Sequence, residues 1–183
     1  MTEKILVTYA TRYGSTQAVA EAIEVALRQS GLAVDMMPLK DVSALTAYNA
    51  VVLGAPLFMF HWHKDALNFL ARHRKVLLER PVAVFALGPT HVPHDEEEWR
   101  DSRKQLDQEL AKFPWFKPVA IQMFGGKYDP ASLRFPLNLM AGNEPASDIR
   151  DWDAIRAWAE DIPSKLVGRL SKHYENISTF PDA

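Results

Sequence analysis

Residues 11–16 read TRYGST, directly after KILVTYA at residues 4–10. Ile5 to Tyr9 is β-branched and aromatic and reads as a first strand. From Ser15 the apolar residues Val19, Ala22, Ile23, Ala26 and Leu27 recur at helical spacing until Gly31 stops them. The stretch is therefore a strand-to-helix turn. Gly14 lets the backbone curl there, and Thr11, Ser15 and Thr16 crowd the helix start with hydroxyls. Two readings fit. Ser15 or Gly14 caps the helix, or the turn wraps a phosphate with its hydroxyls and the unpaired N–H groups of the first helical turn.

Working outward, Ala33 to Met37 is a second strand, and Ala50 to Leu53, ending at Gly54, is an unbroken apolar third. Residues 66–78 place Leu67, Leu70 and Leu77 on one helical face. Pro81 opens a fourth strand, VAVFAL. Residues 96–113 form a helix with Trp99, Leu106, Leu110 and Phe113 on one side; Asp95 is its N-cap and Glu98 the capping-box partner. Val119 to Phe124 is a fifth strand. Trp152 to Leu170 is a terminal helix, with a kink or break expected at Pro163.

Alternating strands and helices predict an α/β class with a five-stranded parallel sheet in a three-layer fold. The expected order is 2-1-3-4-5, with a ligand beyond the carboxyl ends of the strands. Residues 1–183 read as one domain with a tail over 172–183. Residues 125–151 are rich in Gly and Pro and exceed an ordinary connection, so they read as a functional insertion.

Composition narrows the class. Hydrophobic residues make up 48% of the 183 and charged residues 24%, which suits an ordinary globular protein. A net charge of -2 gives no polyanion-binding surface, so no nucleic-acid partner is expected. The absence of cysteine excludes disulfides and thiolate metal sites and is most at home in a reducing cytoplasm. No signal-peptide pattern opens the chain. No apolar run approaches the roughly 18 residues of a spanning helix.

Two phosphate motifs are missing. The dinucleotide triplet G-x-G-x-x-G does not occur, although Asp35 stands near the position of its acid, and G-x-x-x-x-G-K-[ST] does not occur either. What remains is a turn for a single phosphate.

TRYGST after a strand resembles the flavodoxin phosphate loop, whose usual form is T-x-T-G-N-T. The resemblance implies a flavodoxin-like fold with FMN as cofactor, its phosphate held at Thr11, Tyr13, Gly14, Ser15 and Thr16. Arg12 adds a charge within the same loop. LGAPLFMFHWH after the third strand and ALGPTHVPHDEE after the fourth match the two loops that flank the flavin ring in that family. The first supplies Pro56, Leu57, Phe58, Met59 and Phe60, with Phe58 at the aromatic position; the second supplies Gly88, Pro89, Thr90 and His91.

Within the family, TRYGST and GAPLFMFHWHKDALNFL resemble the menaquinone-dependent protoporphyrinogen oxidases, which carry T-R-x-G-x-T, an H-x-H pattern and a late insertion. Here the pattern is His61 and His63. They read as exposed or helix-start residues, as groups moving a proton at the flavin edge near neutral pH, or, least well, as a metal pair; no metal is expected. The resemblance implies electron transfer from a porphyrinogen to a quinone, with a flavodoxin-type electron carrier or a quinone reductase as alternatives. Carriers are very acidic, and -2 lacks that signature. The partners are then a porphyrinogen, a quinone or both, with room for a homo-oligomer. The insertion offers SLRFPLNLM with only Lys127, Arg134 and Arg150 nearby, each worth about 1 kcal/mol on anionic lipid. That supports at most peripheral contact, at the inner face of the membrane.

Overall fold

The computed structural model describes residues 4–58, 61–90, 95–133 and 145–178, with side chains to 166 in the last helix. Strand β1 (Lys4–Tyr9) leads to helix α1 (Ser15–Gln29) and strand β2 (Ala33–Pro38). Strand β3 (Ala50–Phe58) turns back as the short strand β4 (His61–Trp62), followed by α2 (Lys64–Arg72) and α3 (Arg74–Leu77). Then come β5 (Val82–Leu87), α4 (Glu96–Ala111), β6 (Ala120–Phe124), the ribbon strands β7 (Lys127–Tyr128) and β8 (Ser147–Asp148), and α5 (Trp152–Ser178).

The parallel sheet runs β2-β1-β3-β5-β6, with β4 hanging off β3 as an antiparallel hairpin. Counting only its five parallel strands, this is the order the sequence predicts. Side chains alternate between its two faces, as the period of a strand requires. Leu6, Val51, Leu53, Val82, Val84 and Ala86 join one core with Phe69 and Leu70 of α2, Leu77 of α3 and Leu106 of α4. Ile5, Val7, Val52, Ala83, Phe85 and Leu87 join the other, under α1 and α5. Each of the Val, Leu, Ile and Phe side chains, fully removed from water, stabilises by about 1.5–3 kcal/mol. Double coverage explains why these strands lack polar alternation.

Three expectations change. Strand 3 does not end at Gly54 but runs on to Phe58. Gly54 stands opposite Phe85 in the register, and a Cβ there would lie 1.9 Å from Cζ of that ring. Its glycine is a packing requirement, not a stop. The helix expected over 66–78 divides at His73 into α2 and α3. The last helix continues through Pro163 and on to Ser178. Proline there removes one N–H bond, but Ile155, Trp158, Ala159, Ile162 and Leu166, all buried, pin the helix to the sheet on both sides of it. Packing outweighs the lost bond.

The 125–151 segment is anchored at its base. Its ribbon pairs Lys127 with Asp148 and Tyr128 with Ser147. Gly126 N–H donates to the Pro89 carbonyl (2.7 Å), and Ile149 N–H to the Gly126 carbonyl (3.1 Å). Met59, Phe60, His91, Arg134 and most of SLRFPLNLM lie outside the described residues. Among the described residues no helix is long and apolar enough to cross a membrane.

Candidate cofactor site

The turn after β1 is closed by its own groups. Ala10 N–H donates to the Gly54 carbonyl (2.9 Å), and Gly14 N–H donates to Thr11 Oγ1 (2.9 Å). Gly14 sits at φ 85°, a left-handed conformation that favours glycine, and is the N-cap of α1. It has no side chain to cap with, and Ser15 is already the first helical residue. Of the two caps weighed from the sequence, Gly14 takes the position and Ser15 does not, and no side-chain hydrogen bond caps the helix. The first turn of α1 also has no acid. Among the described residues, then, no side chain caps its first-turn amides.

One further atom bears on this. Thr16 is fully buried, and its Oγ1 has no hydrogen-bond partner among the described residues. An unsatisfied buried hydroxyl costs about 1–3 kcal/mol. A phosphate at this helix start would accept from that hydroxyl and from the first-turn amides together. The residues present fit the group.

The β3–β4 hairpin stands next to this loop. Leu57 pairs with Trp62 and Phe58 with His61. Trp62 is buried and its Nε1–H donates to the Ala55 carbonyl (3.1 Å), which holds the hairpin to the core. Pro56, Leu57 and Phe58, expected in a loop, are the last residues of β3 and half-buried. The Arg12 guanidinium lies 4.3 Å from the centre of the Phe58 ring and 5.6 Å from that of Tyr13. Arg12 thus bridges the turn after β1 and the hairpin.

The two histidines part company. His61 is mostly exposed, and its Nδ1 lies 3.0 Å from Oε1 of Glu109 on α4. Glu109 is buried and also receives Lys112 Nζ (2.6 Å). Burial pushes the Glu109 carboxyl up, but hydrogen bonds from Lys112 and His61 outweigh it and leave it below the usual range. His63 is the N-cap of α2: its Nδ1 accepts from Asp65 N–H (3.3 Å), and its own N–H donates to the Pro56 carbonyl (3.1 Å). Burial chiefly, with Lys64 and Arg12 adding to it against Asp65, lowers the His63 pKa from its ordinary value. With Nδ1 accepting, neutral His63 carries its proton on Nε2.

The third strand end, after β5, is tied to the insertion. Gly88 N–H donates to the Phe124 carbonyl (3.0 Å), Pro89 is buried, and the Thr90 carbonyl accepts from Ser147 Oγ. The structure thus joins Arg12, Tyr13 and Phe58 directly, with His63 close by, and joins Pro89 and Thr90 to the ribbon. Glu109 was not foreseen. Its only trace in the sequence is a carboxylate between Leu106 and Leu110 on the apolar side of an amphipathic helix.

Comparison with known proteins matches this geometry. The protoporphyrinogen IX dehydrogenase [quinone] of Leishmania major is 25% identical over 196 residues, covering 98% of this chain and 83% of that protein. A flavodoxin from the domain Archaea superposes with a TM-score of 0.56 at 15% identity, over 90% of this chain and 99% of that one. Oxidised flavodoxin 1 of Bacillus cereus gives 0.56 at 15% identity, over 91% and 98%. At such identities the superpositions speak for the fold alone. The flavodoxin domain model matches residues 6–140, a span that holds all three strand ends, and the chain belongs to that family.

Proposed function

We propose that the chain binds FMN and is an oxidoreductase of the protoporphyrinogen dehydrogenase type, taking electrons from a porphyrinogen and delivering them to a quinone. Each such exchange removes two electrons and two protons from the porphyrinogen and leaves them on the quinone as a quinol. Bound FMN would supply the redox chemistry; the chain supplies binding, orientation and proton handling. Thr11, Ser15, Thr16 and the first-turn amides of α1 hold the phosphate, with Gly14 shaping the turn. Phe58 offers a face to the ring, its other face being covered by Arg12. Gly88, Pro89 and Thr90, fixed by the ribbon, close the far side. His63 holds a proton on Nε2 at the hairpin base, whereas His61 is committed to Glu109 and orients the hairpin.

The observation that carries the FMN reading is the buried Thr16 hydroxyl, unpartnered at a helix start that lacks an acid. The substrate class draws support from the Leishmania relative, whose likeness covers nearly the whole chain, insertion included. A carrier shuttling electrons between proteins is the competing reading, and a net charge of -2 speaks against it. We place the protein in the cytoplasm, with at most peripheral membrane contact through the insertion.

Two measurements test this. Purified protein should be yellow and release FMN by mass spectrometry; FAD as the sole flavin would overturn the cofactor. FMN-loaded protein should oxidise protoporphyrinogen with a quinone as acceptor. A flavoprotein that reduces partner proteins but turns over no porphyrinogen is a carrier.

A further inference from the structure

Arg12 stands out among the charged residues near the site. Its guanidinium lies over the Phe58 ring at 4.3 Å and near the Tyr13 ring at 5.6 Å, so aromatic contacts hold the group in place. Aromatic rings engage the face of a guanidinium. Its five N–H donors lie on the edge, in a fork that matches a carboxylate. Arg12 is exposed, and among the described residues no carboxylate pairs with it. An exposed cation held against aromatic rings, with no carboxylate paired to it among the described residues, is arranged to receive an anion from solution.

A second cation points the same way. Lys64 is the first residue of α2, where a positive charge opposes the helix dipole at a cost of about 0.3–1 kcal/mol. It too is exposed and unpaired among the described residues. Arg12 and Lys64 both push the His63 pKa down, and Asp65 opposes them. The proposed phosphate turn has its own donors in the α1 amides and the Thr16 hydroxyl, and the Arg12 guanidinium lies nearer the Phe58 ring than the Tyr13 ring.

We infer that Arg12 is a specificity residue that binds a carboxylate side chain of the substrate beside Phe58, with Lys64 adding to the local positive field. This rests on the proposed substrate class: porphyrinogens and porphyrins carry carboxylate side chains on an otherwise apolar macrocycle, and quinones carry none. It selects the electron donor over the electron acceptor at one site.

The test uses FMN-loaded protein titrated with protoporphyrin IX and with its dimethyl ester, followed by quenching of tryptophan fluorescence. Arg12→Gln should weaken the diacid roughly ten- to hundredfold and leave the ester unchanged, and Arg12→Lys should recover part of the loss. The FMN dissociation constant, measured separately, should move far less. Equal diacid affinity in Arg12→Gln, or a loss confined to FMN, would overturn the assignment. The proposed reaction is tested apart from it. Wild-type protein that binds the diacid through Arg12 but oxidises no porphyrinogen refutes the reaction and leaves this site standing. Wild-type turnover with an unaltered KM in Arg12→Gln refutes the site and leaves the reaction. A wild type that binds neither porphyrin refutes both.

Discussion

Helices α1 and α4 both start at the carboxyl edge of the sheet, one after β1 and the other after β5, yet their starts are opposites. The start of α4 is satisfied from within the chain: Asp95 Oδ1 accepts from Glu97 N–H (3.1 Å) and Glu98 N–H (3.0 Å), and Glu96 to Glu98 place three acids in the first turn. The start of α1 has a glycine cap, no acid and a buried hydroxyl without a partner among the described residues. One helix brings its own anion. The other leaves the position open, and that difference, more than the loop motif itself, supports the proposed phosphate site.

The contrast can be broken by giving α1 what α4 has. Ser15→Asp puts a carboxylate at the first helical position. One unit charge at about 5 Å and an effective dielectric of about 20 repels another by about 3 kcal/mol, so FMN affinity should fall by more than about a hundredfold. The same change should stabilise the apoprotein by about 0.3–1 kcal/mol in urea unfolding. If both binding and stability fell, the helix start would not be open in the sense described.

Thr16→Val should cost about 1.5–3 kcal/mol of FMN binding, a ten- to hundredfold rise in Kd. Apoprotein stability should hold or rise, because the orphaned hydroxyl goes with the side chain. A variant with unchanged Kd would remove Thr16 from the site. Asp95→Ala sharpens the other side of the comparison: it should cost about 1 kcal/mol of stability and leave the FMN dissociation constant as it was. The smallest effect concerns α2. The folded-state pKa of His63 is lowered, so its contribution is present above the unfolded pKa of about 6.5 and is lost as pH falls through the folded value. His63→Asn keeps a cap but does not titrate. It should flatten the acid-side decline, while His73, also lowered chiefly by burial, keeps its share. An unchanged slope would mean that His63 carries no such linkage.

The same contrast explains what could be read from the sequence. The start of α1 and the Asp95 cap are written in local spacing: apolar periods, a glycine at a turn, a carboxylate before a helix; the sheet order rests instead on the flavodoxin-like precedent for five alternating strands. Gly31 ended α1 as expected, with its N–H on the Arg28 carbonyl. Errors arose where a residue answers to one far away. Gly54 looked like the end of a strand because Phe85, which fills the space a Cβ would take, is 31 residues on. Pro163 looked like a break because its own bond is local and the packing that overrides it is not. The partner of His61 was likewise out of view, because Glu109, 48 residues on, cannot be paired with it from spacing.

The β7–β8 ribbon has a consequence for how this protein could vary. Because it joins Tyr128 to Ser147, the stretch between them is a cassette with both ends stapled beside the candidate site. Changing its length alters only a closed loop, at a cost of about 0.6 kcal/mol for each doubling, and the sheet register does not have to move. Such a cassette could be shortened to a tight turn, or exchanged for another of different chemistry, while the residues gathered around Arg12 and Phe58 stay in place. What the molecule meets and what it holds could then be altered independently.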